Sequence, residues 1–401
     1  MHPYLQRAQT LLPVNVAPFL CQGDLQRIHT GLGKIWLERG KEAKLNKLDR
    51  YADMIQAHEH YIRAIATNPH DILAVQGIAE TVAELEFTFP ELFPGKVNPY
   101  NALSLFTRMR EVEPNGFDSN YSHADYLYKR ELHKELLLQV QHTAKIFPSY
   151  GKIKRASFYS PAMREAIKSG LREAIDNKIM TRSAFFSLST MYKEEKEYAQ
   201  AAVYYERGML ERENTITDKN YVNLGSLHLR AGSMDETYQA FTACLRMSPN
   251  SHKMIQIIFS RFKKDQNLDG FVTFAKVAST NRNLERPLRL YVAKAHIGLE
   301  DFETAKENLH TINRDKPSPE AYYLLAEVAR KERDWDAMEL SIQRATVLDP
   351  KNGRYYKILA DALIYQKKYR PAAKYMQKAL ANDPENTTYR KKLTKIRSYY
   401  K

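Results

Sequence analysis

Residues 353–384 have the sequence GRYYKILADALIYQKKYRPAAKYMQKALANDP, and residues 319–350, which begin 34 positions earlier, have the sequence PEAYYLLAEVARKERDWDAMELSIQRATVLDP. In both stretches apolar residues recur three, four and seven positions apart, which is the spacing of one helix face. Both stretches also close on Asp-Pro, where proline cannot continue a helix. Each stretch therefore predicts two antiparallel helices joined by a short turn.

The same template recurs along the chain with a period near 34 residues. Further units begin at Phe117, Arg182, Asp218 and Arg286, whereas residues 252–285 fit the template loosely. Self-similarity at such a period indicates a helical-repeat array. The sequence predicts an all-α fold: an α-α superhelical solenoid of about ten helix hairpins with a concave groove and a carboxy-terminal capping helix.

The order of residue types within a unit resembles the tetratricopeptide repeat. The unit that begins at Asp218 carries the Leu224-Gly225 dipeptide, a second small residue at Thr237, the aromatic Phe241 and the closing Pro249. The resemblance implies stacked hairpins that bind a protein or peptide and have no reaction centre. Our main hypothesis is therefore a non-enzymatic scaffold that holds a peptide segment in its groove.

A weaker resemblance concerns bacterial surface polysaccharide. The stretches Asn98-Pro99-Tyr100 and Glu113-Pro114 look like parts of the repeat regions that accompany O-antigen-ligase-type assembly proteins. This resemblance implies an accessory domain that faces the periplasm. No export signal is recognised, because the apolar stretch before Cys21 is interrupted by prolines, and the compartment stays open between cytoplasm and periplasm.

The register predicts five segments, which are a lead-in at 1–22, repeats with two insertions at 23–150, a degenerate repeat or connecting helices at 151–181, the main array at 182–386, and a basic capping helix at 387–401. The first insertion, around residues 41–51, is expected to lengthen a helix pair. The second, from Phe87 onward, is expected to form an aromatic loop, since prolines interrupt it. The candidates for ligand contact in that loop are Phe87, Phe89, Phe93 and Tyr100.

Groove positions follow from the register, because the second, fifth, ninth and twelfth residues of each first helix should face inward. The predicted partner-binding residues are Lys219, Val222, Asn223, Ser226, Lys294, Glu320, Tyr323, Glu327, Arg330, Arg354, Lys357 and Asp361.

Composition and charge restrict the function further. The 401 residues are 27% charged and 43% apolar, which is typical of a globular protein, and the net charge is +14. The last 51 residues hold fourteen Lys or Arg against three Asp or Glu, a net charge of +11. This excess fits either a solvated end cap or a surface that docks an acidic protein, an anionic glycan or a nucleic acid. The basic patch consists of Lys367, Lys368, Arg370, Arg390, Lys391, Lys392, Lys395 and Arg397.

Catalytic, cofactor and membrane signals are missing from the sequence. The two cysteines, Cys21 and Cys244, form no metal-binding spacing, and no phosphate loop or nucleophile elbow occurs. No stretch approaches the roughly 20 consecutive apolar residues of a membrane-spanning helix. We expect no catalytic residue, no metal and no cofactor.

Overall fold

The computed structural model describes residues 22–42, 44–92, 102–149, 160–248, 251–279 and 282–400. Within these ranges the chain forms twenty α-helices and one short 3₁₀ turn, without a strand, so the predicted all-α class of solenoid type is confirmed. Among the predicted residues, Cys21, Phe93 and Tyr100 lie outside the described ranges, as do the lead-in through residue 21 and residues 151–159.

The chain divides into two compact units, residues 1–195 with 203–212 and residues 196–202 with 213–401. The helices before the division are α1 (Gln22–Gly40), α2 (Lys47–Thr67), α3 (Ile72–Thr88), α4 (Ala102–Val112), α5 (Phe117–Lys129), α6 (His133–Ile146), α7 (Pro161–Asp176) and α8 (Thr181–Glu194), and α9 (Tyr198–Leu210) is shared. The second unit continues with α10 (Asp218–Ala231), α11 (Met234–Met247), α12 (Ser251–Lys264), α13 (Leu268–Ala278), α14 (Arg282–Gly298), α15 (Phe302–Asp315), α16 (Pro319–Glu332), α17 (Trp335–Leu348), α18 (Gly353–Tyr365), α19 (Tyr369–Asn382) and α20 (Thr387–Ser398).

Local sequence sets the ends of these helices, as the hairpin of α16 and α17 shows. Ser318 caps α16 by accepting a hydrogen bond from the Ala321 backbone N–H at 3.4 Å. Helix α16 ends at Glu332 and is followed by Arg333, whose φ of 62° is left-handed and reverses the chain. Asp334 then caps α17 by accepting from the Ala337 N–H at 2.9 Å. The turn between the helices is therefore as short as the repeat template predicts.

Small residues allow the two helices of a hairpin to approach closely. A Cβ on Gly225 of α10 would lie 2.6 Å from the fully buried Phe241 ring of α11. Cys244, one turn further along α11, is also fully buried, and this burial raises the pKa of its thiol to about 12. Cys244 is thus a packing residue of this hairpin.

The first insertion lengthens the first hairpin, as predicted. Helix α1 has 19 residues and α2 has 21, whereas α16 and α17 have 14 each.

The prediction of an aromatic loop from Phe87 onward is wrong at its start. Helix α3 continues to Thr88, and Phe87 lies in its last turn with its ring centroid 5.9 Å from that of Tyr126. Phe89 follows the helix but is fully buried, with its ring 5.6 Å from Tyr51. Apolar packing against neighbouring helices thus accounts for both rings, and Phe89 has no surface to offer a ligand.

The terminal helix α20 covers the end of the second unit. Leu393 and Ile396 are buried, at 7% and 1% exposure, in the apolar core that α18 and α19 supply. The rings of Tyr369 and Tyr399 lie 5.0 Å apart, so α20 ends beside the start of α19. Among the described helices none is sufficiently long and apolar to cross a bilayer.

Candidate functional site

The first helices of successive hairpins carry a continuous polar surface in the second unit. Contacts between side chains join α14 to α16, α16 to α18, and α18 to α20. We call this surface the first-helix strip, and its members are Lys294, Glu320, Tyr323, Glu327, Arg330, Arg354, Lys357, Asp361 and Lys392. Eight of the nine were predicted as groove residues from the repeat register alone.

The strip begins with an ion pair between α14 and α16. Lys294 Nζ lies 2.6 Å from Glu320 Oε1. The same ammonium group lies 4.3 Å from the ring centroid of Tyr291, a buried residue whose pKa is raised by burial and by Glu320. Register positions did not predict Tyr291, because it occupies the sixth position of the repeat unit that begins at Arg286. The contact of the Lys294 ammonium group with the Tyr291 ring connects Tyr291 to the strip.

Tyr323 occupies the middle of the strip, on α16. Arg354 of α18 donates a hydrogen bond to the Tyr323 hydroxyl at 2.5 Å, and its guanidinium lies 4.6 Å from the centroid of the same ring. Burial and the neighbouring Glu327 raise the pKa of Tyr323, so the hydroxyl keeps its proton. Glu327 in turn accepts from Arg330 Nη2 at 2.7 Å. Each polar group of this segment therefore has a fixed partner before any ligand arrives.

Asp361 anchors two lysines at the far end of the strip. Its carboxylate pairs with Lys357 Nζ at 2.8 Å, one turn earlier on α18, and with Lys392 Nζ of α20. The Asp361 side chain is 14% exposed, whereas those of Lys357 and Lys392 are 34% and 32% exposed. The carboxylate is consequently covered, and the two ammonium groups face solvent with one positive charge in excess.

The predicted groove residues on α10 form a separate group. Lys219 and Asn223 are exposed, and the Ser226 hydroxyl donates to the backbone oxygen of Val222 at 2.6 Å. Val222 itself is only 5% exposed and belongs to the apolar core, so its prediction as a partner contact is wrong. Among the first helices of the hairpins, α12 comes between α10 and α14, where the strip begins. The described contacts do not join Lys219 to the strip.

The predicted basic patch divides into paired and unpaired cations. Lys392 belongs to the strip, Lys368 pairs with Glu339 of α17 at 3.3 Å, and Arg390 donates to the Pro384 oxygen at 3.0 Å. The remaining members form no ion pair with a described residue and are exposed to solvent: Lys367, Arg370, Lys391, Lys395 and Arg397.

The strip contains both hydrogen-bond donors and hydrogen-bond acceptors. Within the described ranges no group of three His, Cys, Asp or Glu side chains is arranged to hold a metal ion. The strip can therefore recognise carbonyl, amide, carboxylate or cationic groups by hydrogen bonds and charge.

Stacked helical hairpins with a polar strip across their first helices define a helical-repeat protein, a class whose fold serves as a scaffold for protein interactions. A family model described as tetratricopeptide repeat matches residues 218–251, which span α10 and α11. These residues therefore carry a tetratricopeptide repeat, and neighbouring hairpins keep the sequence register of this unit. None of the curated proteins matches its sequence.

Several solved structures are similar to the chain at low identity. A fragment of MamA from Desulfovibrio magneticus RS-1, from its residue 41 to the end, is 18% identical, with a TM-score of 0.32 over 42% of this chain and 97% of that fragment. The C-terminal part of a TPR repeat-containing protein from Cytophaga hutchinsonii is 16% identical, with a TM-score of 0.35. The match covers 70% of this chain and 99% of that one. PilW, a type IV pilus biogenesis factor, is 12% identical, with a TM-score of 0.36 over 53% and 99%. At these scores the likeness carries no conclusion about the partners of this chain.

Proposed function

We propose that the chain is a non-enzymatic scaffold that binds an extended segment of a partner protein across the first-helix strip. The tetratricopeptide repeat within the chain supports the general role of a protein-interaction scaffold. The finer assignment, which places the partner on α14, α16 and α18, depends on the polar network described above.

The observation that carries the proposal is the set of side-chain pairs that cross from helix to helix. Lys294 with Glu320 and Arg354 with Tyr323 fix side chains of three successive first helices. A surface whose side chains are already ordered loses less conformational entropy when a partner binds. Such a surface is suited to recognise a flexible segment that itself must become ordered.

The spacing of the helices favours an extended segment. Packed helices lie about 8–10 Å apart, and an extended chain advances about 3.3 Å per residue. One first helix therefore corresponds to about three residues of the bound segment. A helical segment advances only about 1.5 Å per residue and would need about six residues to span the same distance, so fewer of its residues could contact the strip.

Peptide selection followed by paired variants tests the proposal. Peptides are selected from a random displayed library against the full chain, and the affinity of the best peptide is measured by isothermal titration. The strip variant carries Tyr323→Ala and Glu327→Ala on α16. The matched control carries Leu340→Ala and Val347→Ala on α17 of the same hairpin, whose side chains are 55% and 79% exposed.

We expect the strip variant to bind the peptide at least about tenfold more weakly and the control to bind as the wild type does. Circular dichroism of each variant checks that it is folded. Should the Tyr323→Ala change unfold the hairpin, Glu320→Gln with Glu327→Gln removes two negative charges without removing volume. Equal binding by folded strip variants and wild type would place the interaction elsewhere and reject the proposal.

A further inference from the structure

The terminal helix continues the first-helix strip in register. Lys391 and Lys395 lie 34 positions after Lys357 and Asp361, at the fifth and ninth positions that face the strip in the preceding hairpins. The pairing of Lys392 with Asp361 shows that this side of α20 is turned toward α18. Lys395 lies one turn beyond Lys392 on the same side of the helix, since residues three apart are neighbours. Helix α20 thus covers the core and also extends the binding surface.

Charge changes sharply along this surface. At α14 and α16 each cation of the strip has a carboxylate partner: Lys294 with Glu320, and Arg330 with Glu327. At α18 and α20 the single carboxylate of Asp361 faces Lys357 and Lys392, and Lys391 and Lys395 beside them form no ion pair with a described residue. Arg354, which donates to a neutral tyrosine, adds another cation. We call Arg354, Lys357, Lys391, Lys392 and Lys395 the basic end of the strip.

We propose that the basic end binds an acidic protein segment in extended conformation, whose carboxylates are spaced about three residues apart so that they reach α18 and α20 in turn. This inference rests on the proposed function and names the chemistry of the partner. The exposed ammonium groups of Lys391 and Lys395 on α20 form no ion pair with a described residue, and on α18 Asp361 balances only one of the neighbouring cations. A carboxylate of the partner completes these pairs without displacing Asp361.

Two features of the strip favour a protein segment over a nucleic acid. Single-stranded nucleic acids bind where open aromatic faces stack the bases. In the strip the Tyr323 ring is covered by Arg354, and the buried Tyr291 ring is covered by Lys294. Asp361 and Glu327 also stand among the cations, where they repel a backbone that carries a phosphate on every nucleotide. In an acidic protein segment, neutral residues separate the carboxylates, and these neutral residues can lie beside Asp361 and Glu327.

The test uses a synthetic, fluorescently labelled peptide in which every third residue is Glu and the others are Ser, Ala and Thr. Its affinity for the full chain is measured by fluorescence anisotropy at low ionic strength, beside a peptide in which Gln replaces each Glu. The variant of interest carries Lys391→Glu and Lys395→Glu, which leaves the Lys392–Asp361 pair in place. The control carries Lys134→Glu and Lys374→Glu on α6 and α19, where both lysines are exposed and lack a described ion pair.

We expect the Glu peptide to bind the wild type and the control alike, and to bind the α20 variant about tenfold more weakly. Added salt should weaken the binding, because exposed charges are screened, and the Gln peptide should not bind. Equal affinities of the α20 variant and the control would overturn the inference, as would preferential binding of a labelled oligothymidine that the α20 variant loses. In either case the proposed function is tested separately, by the affinity of the selected peptide for the α16 variant and for the wild type.

Discussion

Gly170 lies where α7 closely approaches α6. A Cβ at this position would collide with the backbone carbonyl oxygen of Gln141 and lie 3.0 Å from the Cβ of Ala144. Because a backbone oxygen in a helix cannot rotate away, Gly170→Ala should lower the free energy of unfolding by about 1–3 kcal/mol. The measurement is urea denaturation followed by circular dichroism.

Gly31 provides the control for this prediction. It lies within α1, is exposed, and has no atom within 4 Å of the position of an added Cβ. Gly31→Ala should therefore raise the free energy of unfolding by about 0.5–1 kcal/mol through helix propensity alone. If Gly170→Ala also stabilised the chain, the close approach of α6 and α7 would be wrong.

Two histidines, one on α1 and one on α2, form a pair in which protonation of both rings is disfavoured. His29 Nδ1 and His60 Nδ1 lie 3.1 Å apart, so one ring must donate and the other must accept. Burial lowers the pKa of both rings, Arg63 lowers both further, and only Glu59 opposes the shift at His60. The unfolded chain therefore binds more protons than the folded one between the lowered pKa and the ordinary value of about 6.5.

Stability should consequently rise with pH across this window and fall on acidification. We expect a lower free energy of unfolding at about pH 5 than at about pH 7, and a smaller difference in His60→Gln. His133→Gln, at an exposed position on α6, should keep the wild-type difference. An unchanged pH dependence in His60→Gln would show that the pair does not contribute. His58, whose pKa is also lowered by burial, should leave a residual dependence in both variants.

At the same scale, the sequence could identify strip residues but not their partners. The repeat register places Arg354, Lys357 and Asp361 on one side of α18, because helix periodicity alone decides which residues share a face. It could not show that Arg354 covers Tyr323 or that Lys392 joins Asp361, since these contacts depend on how neighbouring hairpins pack. Register also misplaced Val222, because a small apolar side chain at a predicted groove position can turn into the core.

At the scale of elements, α20 should stabilise the second unit through its apolar side. Ile396 is 1% exposed and packs into the core of α18 and α19. Ile396→Ala should lower the free energy of unfolding by about 2–4 kcal/mol, as removal of a buried aliphatic side chain does. Lys391→Ala, on the exposed side of the same helix, should change it by less than about 0.5 kcal/mol.

Thermal and urea denaturation of these two variants distinguish a covering helix from a loosely attached one. A loss in Ile396→Ala no larger than that in Lys391→Ala would mean that α20 contributes nothing to the core. The comparison also separates the two tasks of the helix, because Lys391 belongs to the basic end and should affect binding without affecting stability.

Element boundaries were harder to predict than the elements themselves. The repeat template identified paired helices throughout the described second unit, whereas the end of α3 was misplaced. Pro90 disfavours helix at the preceding residue, Phe89, but not at Phe87, and α3 duly continues to Thr88. The sequence pattern of aromatic residues close to prolines predicted a loop. In the structure the Phe89 ring packs on Tyr51 and the Phe87 ring packs on Tyr126.

At the scale of the whole molecule, repeat architecture predicts that stability is local. Each hairpin of such an array contacts its neighbours in sequence, so a destabilised hairpin affects those neighbours and little else. Gly170→Ala lies in the first unit and Ile396→Ala in the second. Native-state hydrogen exchange, read by mass spectrometry of peptic fragments, should therefore show two different patterns.

In Gly170→Ala, exchange should accelerate in α6, α7 and α8 and keep its wild-type rate in α18, α19 and α20. Ile396→Ala should give the reverse, because the energy lost at one end of a nearest-neighbour array does not propagate through many stable interfaces. A uniform acceleration in both variants would mean that the chain unfolds as one cooperative body. The two substitutions would then report a single global free energy, and the repeat description of the fold would fail as an account of its stability.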